Sequence, residues 1–144
     1  MNAESLFSLA GALVLPGWLL LVFLPRWRPV TPLVTAIVIP ALLAILYAWL
    51  IVAHLPGAGG GFGSLADVSE LFRNEYLLLA GWIHYLAFDL FIGSWEVRDA
   101  NRNGVPQLAV VPCLVLTFLL GPAGLLLYLL IRAYVTRRLL PTAG

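Results

Sequence analysis

The chain has 144 residues, of which 62% are hydrophobic and only 10% charged, with eight basic and seven acidic residues for a formal charge of +1. Soluble domains carry about 25% charged residues, so this composition excludes a water-soluble globule and marks an integral membrane protein with room for one domain. Every basic residue is arginine and none sits in a basic, aromatic-interleaved patch, which excludes nucleic acid as a partner, while a single cysteine, Cys113, excludes an intrachain disulfide or thiolate cluster.

The expected fold is all-α: one domain over residues 1–144, a bundle of four transmembrane helices with a short amphipathic helix before the third. The first apolar run, about Leu6 to Leu24, matches the roughly 20 residues that cross a hydrocarbon core of about 30 Å. Its first charge is Glu4, and it ends at Leu24-Pro25-Arg26 without a small-residue cleavage site, so it reads as a retained span rather than a signal peptide. Pro16-Gly17 is expected to kink or divide it, and Ser8, Gly11, Leu15 and Trp18 share a face that permits close packing. Pro25 to Pro32 is a stiff connection in which Arg26 and Arg28 flank Trp27, as at a membrane interface; a specific anion site is the minor reading there.

The second run, about Leu33 to Ala53, carries Pro40 as an expected kink and ends at His54-Leu55-Pro56, where His54 is read as interfacial. Pro56 to Gly63 has five glycines in eight residues and forms a loop. Its Gly61 to Ala66 portion superficially fits a dinucleotide fingerprint but follows no strand, and that reading is discarded. Ser64 then starts a short helix with Asp67 as capping partner. Leu65, Val68, Leu71 and Phe72 face one way and Asp67, Glu70, Arg73 and Asn74 the other, so the piece lies along the interface or covers a cavity as a lid.

The third run, about Glu75 to Trp95, is the only one without a proline, and it carries titratable groups. Counting about 100° per residue from His84 places Phe88 near 40°, Asp99 near 60°, Tyr85 near 100°, Glu96 near 120° and Asp89 near 140°. Ile83, Leu86, Ala87, Leu90, Phe91 and Val97 fill the opposite arc and are expected to face lipid. Ionisable groups inside a span are costly unless they point into the bundle, so the polar arc is the default candidate site. The fourth run, about Gln107 to Ile131, is interrupted by Pro112 and by Gly121-Pro122-Ala123-Gly124. Cys113, Thr117, Gly121, Gly124, Tyr128 and Arg132 recur at spacings of four, four, three, four and four, a small-and-polar stripe expected to face the third span. Thr117 or Tyr128 is expected to pair with His84 or Asp89, and Arg137 and Arg138 belong to a tail. Four spans would set four arginines against four across the membrane, so charge does not orient the chain.

Three kinds of chemistry are open to such a face. In a small-molecule site between helices, His84 and Asp89 would exchange a proton with an apolar substrate. In a structural network, His84, Asp89 and Thr117 would satisfy one another. A metal or haem is the third reading, but His84 and Asp89 lie about 140° apart and no HExxH spacing is present; neither metal nor cofactor is expected.

The segments GWIHYLAFDLFIGSWEVRDA (residues 81–100) and VPCLVLTFLLGPAGLLLYLLIRA (residues 111–133) resemble the abscisic acid deficient four-like family, small integral membrane proteins whose plant members are needed to make neoxanthin from violaxanthin. The arrangement of four spans, glycine-rich loop and Leu71-Phe72 segment resembles that family along nearly the whole chain. By this resemblance Trp82, His84, Asp89, Gly93, Trp95, Asp99, Gly121, Pro122 and Gly124 are its marked positions. The resemblance implies isomerase-like chemistry on a carotenoid or other isoprenoid lipid, in which an epoxide opens and rearranges to an allenic alcohol. His84 and Asp89, with Tyr85 or Tyr128 as proton donor, would be catalytic. Trp82, Phe88, Trp95, Glu96, Asp99, Thr117, Gly121 and Gly124 would hold the substrate. The alternative is a non-catalytic carotenoid- or lipid-binding accessory protein. The expected partners are that hydrophobic small molecule, the lipid bilayer and, as an open option, further copies of the chain; the expected location is a bacterial inner membrane, spanned several times. A transporter fits less well, because so few spans would need a dimer.

Overall fold

The computed structural model describes residues 2–137; Arg138 of the expected tail lies outside them. Among the described residues all regular structure is helical. The helices are α1 (Ala3–Phe23), α2 (Val30–His54), α3 (Leu65–Leu71), α4 (Glu75–Asn103), α5 (Gln107–Leu120) and α6 (Pro122–Thr136). Three of them, α1, α2 and α4, are long and apolar enough to cross a membrane.

Asn2 caps α1 by accepting from the Ser5 amide at 2.9 Å. The helix runs through Pro16 without division, because Val14 and Trp18 on either side of the proline are both held in the core. In α2, a wide π-helical turn at Val34–Val38 immediately precedes Pro40 and absorbs the amide that proline lacks. That turn places Thr35 inward: its Oγ1 donates to the Thr31 carbonyl at 2.8 Å and lies 2.9 Å from Ser94 Oγ on α4. At the far end of α2, the Ser64 hydroxyl caps α3 through the Asp67 amide at 3.1 Å. Leu71 of α3 is buried, whereas Leu65 remains 86% exposed.

α4 is the central post. Asn74 caps it by accepting from Tyr76 and Leu77, and Gly104 ends it in the left-handed conformation (φ +70°). The helix thus runs through Asn103, past Trp95 where the span was expected to end and into the Asn101–Pro106 segment the sequence suggests as a turn. At 29 residues it extends about 43 Å, longer than the hydrocarbon core requires. The arc expected to face lipid is instead packed: Ile83, Leu86, Ala87, Leu90 and Val97 are buried, and of the residues named there only Phe91 is exposed. The reason is close approach at glycines. A Cβ on Gly17 of α1 would meet the Leu90 methyls at 2.9 and 3.0 Å, and one on Gly93 would meet the Trp18 ring at 2.8 Å.

The expected fourth span is not one continuous helix. Gly121 (φ +46°, ψ −98°) reverses the chain, Pro122 starts a new helix, and α6 runs back along α5. Residues seven apart in a helix are separated by about 10.5 Å. Here a Cβ on Gly124 would overlap the Thr117 amide nitrogen, so the two arms touch. Heights along α4 agree. Gly121 abuts Asp89, Thr117 meets Glu96, and Tyr128 and Arg132 both meet Asp99. The open end of the hairpin therefore lies beside the α1–α2 connection, where Gln107 Nε2 donates to the Leu21 carbonyl at 3.0 Å. Its tip stops near mid-height on α4.

Candidate functional site

The hairpin turns the small-and-polar stripe into a lining. Cys113, Thr117, Gly121, Gly124, Tyr128 and Arg132 are all buried, and three carboxylates of α4 face them. Asp99 is the most constrained. Its Oδ2 accepts from the Tyr128 hydroxyl at 2.6 Å and pairs with Arg132 Nε at 2.6 Å. Trp95 packs edge-on against the Tyr128 ring at 5.6 Å and closes that side. Glu96, wholly buried, accepts from the Thr117 hydroxyl at 3.0 and 3.3 Å from its two oxygens. Arg132 stood in the stripe read from the sequence but not among the site residues; its place four positions after Tyr128 was the available signal.

Asp89 is different. It is 9% exposed, and its Oδ2 has no hydrogen-bond partner. Its carboxylate fills the notch at Gly121, where an added Cβ would lie 2.9 Å from Oδ1. Tyr85, one turn away, interacts with Asp89, while its hydroxyl donates to the Phe118 carbonyl at 3.2 Å. Asp89 and Tyr85 thus meet at the hairpin tip.

His84 does not join them. It is exposed on the outer surface of α4, stacked on Phe88 with ring centroids 4.5 Å apart and 6.0 Å from the Tyr47 ring of α2. The 140° arc read from the sequence is split by the neighbours: the hairpin covers the carboxylate side, while His84 and Phe88 stay exposed with only the Tyr47 ring nearby among the described residues. The expected pairings are redistributed accordingly, with Thr117 on Glu96 and Tyr128 on Asp99 rather than on His84 or Asp89. His54 stacks face to face on Tyr76 at 4.1 Å, at the opposite end of the bundle from the hairpin opening. Among the described residues no three of His, Cys, Asp and Glu converge to hold a metal ion.

Because the hairpin ends at mid-height, α1 and α4 are left with an uncovered groove beyond its tip. One pocket of about 270 Å³ is lined by Phe7, Gly11, Trp82, Tyr85 and Phe118, among others. A second, of about 340 Å³, shares Phe7 and Trp82 with it and extends to Glu4 and Glu75. Trp82 stacks on Tyr85 at 5.3 Å and lies 5.7 Å from the Phe7 ring. The groove is apolar from Phe7 to Phe118, with the Tyr85 ring at its inner end and the carboxylates Glu4 and Glu75 at its outer end. Phe7 and Phe118 carried no sequence signal beyond hydrophobicity, and Gly11, read from the sequence as a close-packing position, borders open space instead.

Comparison with known proteins places this arrangement. The chain is 23% identical over 144 aligned residues to Protein ABA DEFICIENT 4, chloroplastic, from Arabidopsis thaliana; the alignment covers 94% of this chain and 64% of that protein. The chain thus spans less than two thirds of its curated relative, and the chloroplast location of that relative lends no support to a bacterial inner membrane. No solved structure matches. The model of the ABA DEFICIENT 4-like family matches residues 5–128, which take in α1 to α5 and α6 as far as Tyr128. The chain belongs to the ABA DEFICIENT 4-like family.

Proposed function

We propose that this protein is a membrane-embedded isomerase-like protein acting on a carotenoid or other isoprenoid lipid. In this reading α1, α2 and α4 cross the bilayer, and α5 and α6 form a re-entrant hairpin. At 14 and 15 residues, each arm is only about 21–23 Å long. Irregular backbone at membrane depth is tolerated where protein buries it, and Gly121 at the turn is buried against Asp89, with apolar Leu119, Leu120, Pro122 and Ala123 on the exposed side. A lipid-phase substrate would enter the groove sideways and lie over Trp82 and Phe7 with its end ring at Tyr85.

The observation that carries the reading is that the groove ends at Tyr85, and that Tyr85 interacts with Asp89, a buried carboxylate with an unpartnered oxygen just behind the groove wall. For an epoxy-carotenoid the atoms balance without a co-reactant. The Tyr85 hydroxyl gives its proton to the epoxide oxygen as the ring C–O bond breaks. The Asp89 carboxylate takes a proton from the adjoining polyene carbon, whose C–H electrons form the second double bond of the allene. Return of that proton from Asp89 to Tyr85 restores both groups. His84 and Tyr128 are reserves: the first faces outward and the second is engaged by Asp99.

Non-catalytic binding is the second reading, and the engagement of the Tyr85 hydroxyl with Phe118 favours it. The two separate in one experiment. The chain is expressed in a violaxanthin-accumulating bacterial host, and bound and converted pigments are identified by chromatography. Conversion by the wild type, lost in Asp89→Asn with pigment still bound, is expected. Bound pigment without conversion would leave the binding reading, and no bound isoprenoid at all would reject both.

A further inference from the structure

At the open end of the hairpin lies a second pocket, of about 370 Å³, remote from the groove. It is lined by Arg26 and Arg28 from the α1–α2 connection and by Asn101, Gly104 and Pro106 from the end of α4 and the start of α5. The connection is held in shape by backbone bonds: Trp27 N donates to Leu24 O at 3.2 Å and Thr31 N to Trp27 O at 2.9 Å. Thr31 Oγ1 adds a bond to Leu24 O at 2.7 Å. The two guanidinium groups are thus presented on an ordered turn.

Neither has a partner among the described residues: no acid pairs with Arg26 or Arg28, and neither donates to the carbonyls that end α4. The nearest carboxylate in height, Asp99, is taken by Arg132. Arg102, on the last turn of α4, adds to the same positive end. A second pocket of about 360 Å³ shares Arg26 and leads along Val22 and Phe23, the latter 72% exposed, to the apolar flank of α1.

We propose that this arginine pocket binds a phosphate group, and that the phosphate is the headgroup of an acidic phospholipid whose chain runs along Val22 and Phe23. Two guanidinium groups offer forked donors that match phosphate oxygens. Basic residues at a membrane face each strengthen acidic-lipid binding about fivefold. An apolar path leading from the phosphate position suits a lipid better than a free ion.

The test is native mass spectrometry of the full chain released from mixed micelles of phosphatidylglycerol and phosphatidylcholine, with a parallel titration of inorganic pyrophosphate. The wild type should retain phosphatidylglycerol about tenfold or more in preference to phosphatidylcholine. Arg26→Gln with Arg28→Gln should bring that ratio near one at unchanged melting temperature. Arg102→Gln, outside the pocket, should change it by no more than the roughly fivefold of one general basic residue at that face. Equal retention of the two lipids by the wild type would overturn the proposal, and so would a preference that survives the double change or that Arg102→Gln removes equally. Displacement of all bound phosphatidylglycerol by pyrophosphate would overturn the lipid assignment in favour of a soluble phosphate.

Discussion

At the scale of single residues, the three carboxylates of α4 have unequal surroundings. Asp99 shares one oxygen between Tyr128 and Arg132, and all three groups are buried. Leaving either charge without the other costs about 3–5 kcal/mol, whereas replacing both by apolar groups of like volume is often neutral. Arg132→Met alone should therefore lower the melting temperature in detergent by many degrees, and Asp99→Leu added to it should restore most of the loss. A single change that left the melting curve in place would contradict the buried pair. Thr117→Val removes the hydroxyl that Glu96 accepts from and should cost about 1–3 kcal/mol. His84→Ala bears on the residue the sequence ranked first. Placed outside with Phe88, it should leave pigment conversion within about twofold of the wild type, and a loss of 10²-fold or more would return it to proton transfer.

At the scale of elements, the decisive contacts are made by glycines. A methyl at Gly124 has no room, because the Thr117 backbone and hydroxyl already occupy the space it would need. Gly124→Ala should force the hairpin arms apart and lower the yield of folded protein sharply. Gly11→Ala, with nothing within 4 Å, should be silent in the same solubilisation assay. Equal behaviour of the two variants would mean the arms are not apposed as described. The hairpin was also the part the sequence concealed. Three crossings announce themselves by length and hydropathy, but spacings of four, four, three, four and four are the same in a straight helix and in one folded at Gly121. The Gly121-Pro122 pair signalled an interruption without its angle. In the same way, a helical wheel placed Asp89, Glu96 and Asp99 on one side of α4 correctly, yet no single helix records which neighbour will cover which part of its arc. His84 went astray for that reason.

For the whole molecule, the proposed fold-back topology breaks the tie that charge counting left. With α5 and α6 returning to the side they left, Arg26, Arg28, Arg98, Arg102, Arg132 and Arg137 belong to one end and Arg73 to the other. On that proposed topology, the positive-inside rule predicts that a chain expressed in bacteria has its arginine-rich end on the cytoplasmic side and its glycine-rich loop outside. A cysteine at Ala58 should react with an impermeant maleimide in intact spheroplasts, and one at Asn103 only after permeabilisation, with Cys113 silent because it is buried. The reverse pattern would refute this orientation. Labelling of both positions from one side would refute the three-crossing topology itself.

The short arms of the hairpin also constrain how the chain is assembled. Neither arm is long enough to be inserted by itself as a stable crossing, and α6 carries an arginine that is accommodated only once Asp99 is beside it. On the proposed three-crossing topology, biogenesis would proceed in two acts: the translocon threads α1, α2 and α4, and residues 107–136 then wedge in from the aqueous face against a scaffold already built.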